Sequence, residues 1–254
     1  SHYFRYDEAF TYYSYVKTPF LLSIANYSYP NNHILHTTLV QFSTFCFGDS
    51  LTAIRLPAFL AGIFILPLTY VVARRIYNKN IGLISMAILT CSFPLIDYSV
   101  NARGYTLICF FFLLLLYFGL KKNKTKADGF WIIFISSLGF YTIPIFLYPF
   151  AIFVFWIFLR EGKSAIKDLI IYSVGTCASL IILYTPVFLY TGLNSIIGND
   201  YIVKYEYNLL YKMLLTNFVE VFSWFSTGFG SLGLYIGILG LVLGFFTRNK
   251  NWLK

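Results

Sequence analysis

Residues 56–73 read LPAFLAGIFILPLTYVVA, an uncharged stretch of 18 residues that two arginines follow directly. A helix needs about 17 to 25 predominantly apolar residues to cross a bilayer, so this stretch is long enough. Further uncharged runs lie at residues 104–120, 129–159, 169–199 and 221–247. A shorter run, 81–96, reaches the same length if the residues up to Val100 lie at the membrane interface. The sequence therefore predicts an integral membrane protein with several spanning helices.

The overall composition agrees with this prediction. Of the 254 residues, 58% are hydrophobic and 11% are charged, and the mean hydropathy is +0.70. Soluble domains carry about a quarter charged residues. A water-facing surface cannot be built from so few charges, so the composition excludes a soluble domain.

The positions of the basic residues explain the net charge of +9. Thirteen of the 19 Lys and Arg residues fall in four short stretches that border apolar runs. These stretches are residues 74–79, 121–126, 160–167 and 248–254. Basic loops beside spanning helices mark the cytoplasmic face of a membrane protein. The charge is therefore interpreted as a topological signal, and nucleic acid is not an expected partner.

Seven crossings follow if all four basic stretches are cytoplasmic. The run 129–159 then has cytoplasmic flanks on both sides and must cross twice, with Pro144 and Pro149 near the required break. The expected crossings are 56–73, 81–98, 104–120, 129–143, 145–159, 169–190 and 229–247. The predicted fold is an all-α, multi-pass helical bundle formed by residues 56–254. Residues 1–55 form its extracytoplasmic first loop, which is expected to carry amphipathic, interfacial helices and an acidic motif.

The ten acidic residues are distributed unevenly under this topology. Three, Asp128, Glu161 and Asp168, lie in or directly after the cytoplasmic stretches, and seven lie on the outer side. The outer acids are Asp7, Glu8, Asp49, Asp97, Asp200, Glu206 and Glu220. Polar chemistry therefore concentrates at the outer face, whereas an ion or proton path would need an acid or base inside a span.

Several short motifs follow one another in the first half of the chain. They are Arg5-Tyr6-Asp7-Glu8-Ala9, a helix-like run ending in Phe47-Gly48, Arg55-Leu56-Pro57-Ala58, Arg74-Arg75 and Asn101-Ala102-Arg103-Gly104-Tyr105. This order resembles the GT-C class of membrane glycosyltransferases, in the branch of the protein O-mannosyltransferases and lipid A aminoarabinose transferases (glycosyltransferase family 39-like). The resemblance covers about residues 6–120 and implies a first transmembrane helix before Ser1. The sequence departs from many relatives at Asn31-Asn32-His33, where they carry Pro-Pro-Leu.

The resemblance implies an inverting transfer of a sugar from a polyprenyl-phosphate donor to a protein, lipid or glycan acceptor at the outer face. Such a displacement needs a base for the acceptor proton and a cation for the leaving phosphate. The implied catalytic residues are Asp7 and Glu8. The implied substrate-binding residues are Arg103, Asp97, His33, Asn32 and Tyr105. The expected location is a bacterial inner membrane, with its lipids as further partners.

Other interpretations remain open at this stage. Asp7 and Glu8 can be solvated loop acids, Arg103 can anchor lipid headgroups, and Asp97 can pair with an arginine. The chain can also be a transporter, a lipid-linked glycan flippase or a non-catalytic partner subunit. Transporters place charged or broken-helix sites near the midplane of the membrane, and the expected spans hold no such charges.

The histidines raise the question of a metal. His33 and His36, at i and i+3, share one face of the expected helix, where they can hydrogen-bond a substrate or bind a divalent metal. The sequence identifies no third ligand beside them. A divalent metal is therefore a possible cofactor, and no other cofactor is expected.

Overall fold

The computed structural model describes residues 3–198, together with residues 216, 217, 219, 220 and 223. Within these residues the chain forms eleven α-helices and no strand. They are α1 Tyr6–Thr11, α2 Phe20–Ala25, α3 Ile34–Phe47, α4 Leu51–Ile76, α5 Lys79–Thr90, α6 Phe93–Ser99, α7 Tyr105–Gly119, α8 Lys126–Thr142, α9 Leu147–Glu161, α10 Ile166–Tyr190 and α11 Asn194–Ile197. A π-helical turn, Tyr12–Val16, extends α1, and 3₁₀ turns at Pro144–Phe146 and Gly162–Ala165 precede α9 and α10. The predicted all-α class is confirmed.

Among the described residues, two helical stretches are long and apolar enough to cross a membrane, namely α4 and the continuous stretch Pro144–Tyr190. The helices α5 and α6 pass the same length and hydropathy test only when taken together, and a bend of 62° separates them, as in a broken span or a re-entrant loop. As one straight helix, the 47 residues of Pro144–Tyr190 would extend about 70 Å, more than twice the thickness of the hydrocarbon core. An integral membrane protein is confirmed. The number of crossings stays a prediction, and the expected crossing 229–247 lies outside the described residues.

The ends of the long helices follow from local chemistry. The side chain of Ser50 accepts a hydrogen bond from the backbone N–H of Ala53 at 3.1 Å and so caps the start of α4. At the end of α8, Pro144 has no N–H with which to continue the helical hydrogen bonds, and the chain turns there. Pro149 lies in the first turn of α9, where proline is tolerated.

Three of the four basic stretches meet at one end of the helices. Arg75, in the last turn of α4, donates to the carbonyl oxygen of Tyr117 at 3.2 Å, and Arg160 of α9 donates to that of Gly119 at 2.8 Å. Two ion pairs lie at the same end, Lys121–Asp128 and Lys124–Glu161. The fourth stretch, 248–254, lies outside the described residues.

The acidic motif lies at the opposite end, where α4 begins and α7 follows the turn 100–104. A small buried cluster joins α1 and its π-helical extension to α3, to α4 and to this turn. Its members are Tyr12, Val16, Val40, Ile54 and Ala102. A larger core holds α7 to α10 together, with Leu115, Ile132 and Phe153 fully buried. The packing thus brings the first motif and the turn that carries Arg103 to one place.

Candidate active site

The two acids of the first motif have different surroundings although they are neighbours in α1. Asp7 is exposed, whereas Glu8 is 1% exposed. Successive residues of a helix point about 100° apart, so one carboxylate faces outward while the other faces the protein. Only Asp7 is therefore accessible to a substrate without a rearrangement.

Glu8 uses both carboxylate oxygens to join three parts of the fold. Oε1 accepts hydrogen bonds from Arg55 Nε and from the backbone N–H of Ala102, both at 2.8 Å. Oε2 accepts from Arg55 Nη2 at 2.6 Å and from the backbone N–H of Arg5 at 2.9 Å. Burial alone would raise the pKa of Glu8, but the hydrogen bonds from Arg55, Arg5 and Ala102 outweigh it and hold the pKa below its usual value. Glu8 is an ionised connector between α1, the start of α4 and the turn 100–104.

Arg103 is a buried cation without an acidic partner in the described part of the chain. It is 5% exposed, and Nη1 donates to Thr11 Oγ1 at 3.1 Å and to the carbonyl oxygen of Asn31 at 3.2 Å. Nη2 donates to Asn31 Oδ1 at 3.2 Å, and Nε has no partner among the residues that the structure describes. None of the ion pairs among the described residues includes Arg103. A buried charge without a counter-ion is costly, and an anionic ligand would offset that cost.

Asp97 is paired with an arginine. Its two carboxylate oxygens accept hydrogen bonds from Nη1 and Nη2 of Arg5, at 3.0 and 2.5 Å. The pair connects the end of α6 to the residue that precedes α1. Of the roles that the sequence left open for Asp97, the structure favours the pairing with an arginine, and contact with a substrate stays a prediction.

Two further predicted substrate-binding residues, His33 and Tyr105, lie at the turn 100–104, which carries Arg103. His33 is buried and accepts a hydrogen bond from the backbone N–H of Gly104 through Nδ1 at 2.9 Å. A Cβ at Gly104 would lie 3.2 Å from that nitrogen, so the close approach favours glycine. The ring of Tyr105 lies edge-on to His33, with 5.3 Å between the ring centroids. Both residues therefore lie close to Arg103.

Asn32 is buried and its side chain is occupied by the fold. Its Nδ2 donates to the carbonyl oxygens of Ser23 and Asn26, both at 2.8 Å. Its Oδ1 accepts from the hydroxyl of Thr37 at 2.9 Å. These bonds hold the segment after α2 against α3, so the geometry assigns Asn32 to the loop structure, and contact with a substrate stays a prediction.

The described residues offer no ligand set for a metal. No three His, Cys, Asp or Glu side chains among them converge, and Nδ1 of His33 is already hydrogen-bonded. His36 is 1% exposed, and neither of its ring nitrogens has a partner in the described part of the chain. Burial, and then the nearby Arg103, lower the pKa of His36 to about 3, so its imidazole is neutral.

Sequence reasoning missed several residues that build this site. They are Arg5 and Arg55, which hold Asp97 and Glu8, and Thr11 and Asn31, which hold Arg103. One signal was available, since Arg55 opens an apolar run and a charge in that position needs a partner when it is buried. The partners of Arg103 carry no such signal, because hydroxyl and amide groups are common in loops.

A mostly apolar groove opens beside the site. Its volume is about 750 Å³, and residues of α4, α5, α6, α7 and α9 line it. Tyr98 and Tyr105 are two of its lining residues, with 5.0 Å between their ring centroids. The guanidinium carbon of Arg103 lies 5.9 Å from the Tyr105 ring. The groove therefore leads from apolar walls to the neighbourhood of a buried cation.

The family model for dolichyl-phosphate-mannose-protein mannosyltransferases matches residues 32–190, more than half of the chain. The chain belongs to this family. The resemblance to the GT-C class is confirmed, and the protein is a membrane glycosyltransferase of the GT-C type. Comparison with curated proteins and with solved structures gives no match.

The family match covers only part of the site. It includes the groove and all five predicted substrate-binding residues, whereas α1, with Asp7 and Glu8, precedes it. Family membership therefore supports the reaction class. The roles of the individual residues rest on the geometry described above and stay predictions.

Proposed function

We propose that this member of the mannosyltransferase family moves a sugar from a polyprenyl-phosphate carrier to an acceptor hydroxyl at the extracytoplasmic face, with inversion at the sugar carbon. The observation that carries the proposal is the buried guanidinium of Arg103, which has no acidic partner in the described chain and lies beside an apolar groove. A lipid phosphate matches both features, because its chain is apolar and its head is anionic.

In this proposal Arg103 holds the donor phosphate. Within the described residues its Nε has no partner, and its other nitrogens bond only to neutral oxygens. Guanidinium groups bind phosphate oxygens through parallel hydrogen bonds, which a lysine cannot reproduce. The carrier chain then extends along the groove past Tyr105.

Asp7 is the base that this arrangement supports best. Thr11 follows Asp7 by four residues in α1, so the two side chains lie on the same helix face, about 6 Å apart along the axis. Because Thr11 accepts a hydrogen bond from Arg103, the exposed carboxylate of Asp7 lies about one helical turn from a residue that contacts the proposed phosphate-binding cation. Glu8 also holds α1 against the turn that carries Arg103, since its carboxylate accepts a hydrogen bond from the backbone N–H of Ala102.

The proposed reaction is a single displacement. The acceptor oxygen forms a bond to the anomeric carbon while the bond between this carbon and the phosphate oxygen breaks. The acceptor proton moves to Asp7, and the carrier phosphate leaves with an added negative charge that Arg103 stabilises. This step requires no metal, because the cation is part of the protein.

The proposed location is a bacterial inner membrane with the site on its outer side. Asp7, Asp97 and Arg103 lie at the end of the helices opposite the clustered basic residues. Basic residues of membrane proteins concentrate on the cytoplasmic side. A sugar on a lipid carrier would therefore be transferred at the extracytoplasmic face.

The test is single-turnover transfer by the full-length protein from radiolabelled polyprenyl-phosphate sugars to a mixed pool of acceptors. Asp7→Asn keeps the shape of the side chain and removes the basic oxygen. The variant should lose about 10²- to 10⁴-fold in rate while it still binds the donor.

Asp49→Asn is the matched control, since Asp49 is an outer acid that pairs with Lys17 and has no part in the site. Transfer by Asp7→Asn at the wild-type rate would remove Asp7 as the base. Failure of the wild-type protein to transfer any sugar would contradict the proposed function itself.

A further inference from the structure

The short helix α6 lies between the groove and the helix that carries Asp7. It follows α5 after a bend of 62°, and Leu95 and Tyr98 on one side of it line the groove. Its last residue, Ser99, packs closely on α4, because a Cβ added to Gly62 would lie 2.1 Å from Ser99 Oγ. An occupant of the groove would therefore contact a helix whose last residue is packed against α4.

Two contacts lead from α6 into the site. Asp97 receives two hydrogen bonds from Arg5, whose backbone N–H also bonds to Glu8 at the start of α1. The ring of Tyr98 contacts that of Tyr105. The same seven-residue helix thus contacts the residue before α1, which carries the proposed base, through Asp97. Through Tyr98 it contacts Tyr105, which lies beside Arg103.

We propose that Arg5 and Asp97 are a positioning pair, which transmits the occupancy of the apolar groove to α1 and so sets the position of Asp7. The inference rests on the proposed function of the groove as the site of the carrier chain. Neither residue touches the reacting atoms in this mechanism. Their effect acts through the helix that holds the base.

The physical reason is that binding energy from remote parts of a substrate can be used to orient the reacting groups. In this proposal a long carrier chain reaches Leu95 of α6, whereas a short chain extends only as far as Tyr98, near Arg103. The pair is about one-third exposed on both sides, so it adds little to stability. Glu8 continues to hold α1 when the pair is broken, so the variants are expected to fold.

The first experiment compares two donors that carry the same sugar, one on a long polyprenyl chain and one on a short isoprenyl chain. The wild-type protein should have a higher kcat with the long donor, by about 10- to 100-fold. Arg5→Ala and Asp97→Ala should lower kcat with the long donor more than with the short donor, so that the difference between the two donors is lost. Arg5→Asp combined with Asp97→Arg should restore part of the difference.

Lys17→Ala is the matched control, because it breaks an exposed ion pair of the same outer segment with Asp49. It should leave both rates unchanged. Equal losses with the long and the short donor, or no loss in either single variant, would overturn the proposal.

A second experiment does not depend on activity. Hydrogen exchange is measured on the full-length protein in lipid nanodiscs, with and without long-chain polyprenyl phosphate that carries no sugar. The lipid should slow exchange in α1 and α7 of the wild-type protein, but only in α7 of Arg5→Ala. Slowed exchange in α1 of Arg5→Ala would overturn the coupling, as would no change in α1 of the wild-type protein. Coupling in the wild-type protein without sugar transfer would instead contradict the proposed function alone.

Discussion

Replacing Glu8 with Gln should lower the free energy of unfolding by about 3 to 5 kcal/mol. Each carboxylate oxygen of Glu8 accepts two hydrogen bonds, and an amide can supply only one of those oxygens. The NH₂ group of the glutamine would face two N–H donors in place of an acceptor. The Arg55 side chain, which is 12% exposed, would lose its counter-ion. Two lost hydrogen bonds to the charged carboxylate, at about 1.5 to 3 kcal/mol each, give about 3 to 6 kcal/mol, which overlaps this range.

The assay is urea or thermal unfolding of the full-length protein in detergent, followed by helical circular dichroism, with turnover measured on the same samples. Asp49→Asn is the control for an exposed pair and should cost about 0 to 1 kcal/mol. Glu8→Gln combined with Arg55→Met should cost less than the sum of the two single changes, because the buried cation is then absent. A loss below about 1 kcal/mol for Glu8→Gln, together with a collapse of turnover, would refute this reasoning and make Glu8 a catalytic group.

Three further predictions follow from the site and the topology. Arg103→Ala should weaken binding of polyprenyl phosphate, measured directly, and Arg103→Lys should restore it only in part, because a fork becomes a point charge; unchanged binding in both would exclude the phosphate role. The pKa of His36 is lowered from 6.5 to about 3, so stability should fall as the pH drops through this window, by at most about 1.4 kcal/mol per pH unit. His36→Gln should have a shallower slope in unfolding measured from pH 7 to 4, and an unchanged slope would contradict the burial of a neutral imidazole. Cysteines placed at Asn123 or Lys163, with the four native cysteines replaced by serine, should resist an impermeant thiol reagent in intact cells; labelling there would contradict the cytoplasmic assignment of both stretches.

The features that the sequence predicted well are those that depend on local composition. Residues 56–73 predict a spanning helix, and the structure has one at Leu51–Ile76, because apolar side chains and an internally bonded backbone suffice for insertion into a membrane. The motif order around Asp7, Arg55 and Arg103 predicts the family, which the match to residues 32–190 confirms. Neither inference needs a contact between distant residues.

The division of roles within the site could not be predicted in this way. Asp7 and Glu8 are adjacent acids with the same chemistry, and the sequence assigns both to catalysis. Which of them faces solvent depends on how α1 rotates against α4 and the turn 100–104. That rotation is set by Arg55, 47 residues away, and by the N–H of Ala102, 94 residues away.

The sequence by itself determined that this chain is an α-helical membrane glycosyltransferase, because hydropathy and motif order are properties of neighbouring residues. Only the tertiary structure decided that Glu8 is a buried connector, that Asp97 pairs with Arg5 and that Arg103 lacks an acidic partner within the described residues. The physical reason is that the free energy of a charged side chain depends on burial and on partners brought together by folding, and neither is encoded at its own position.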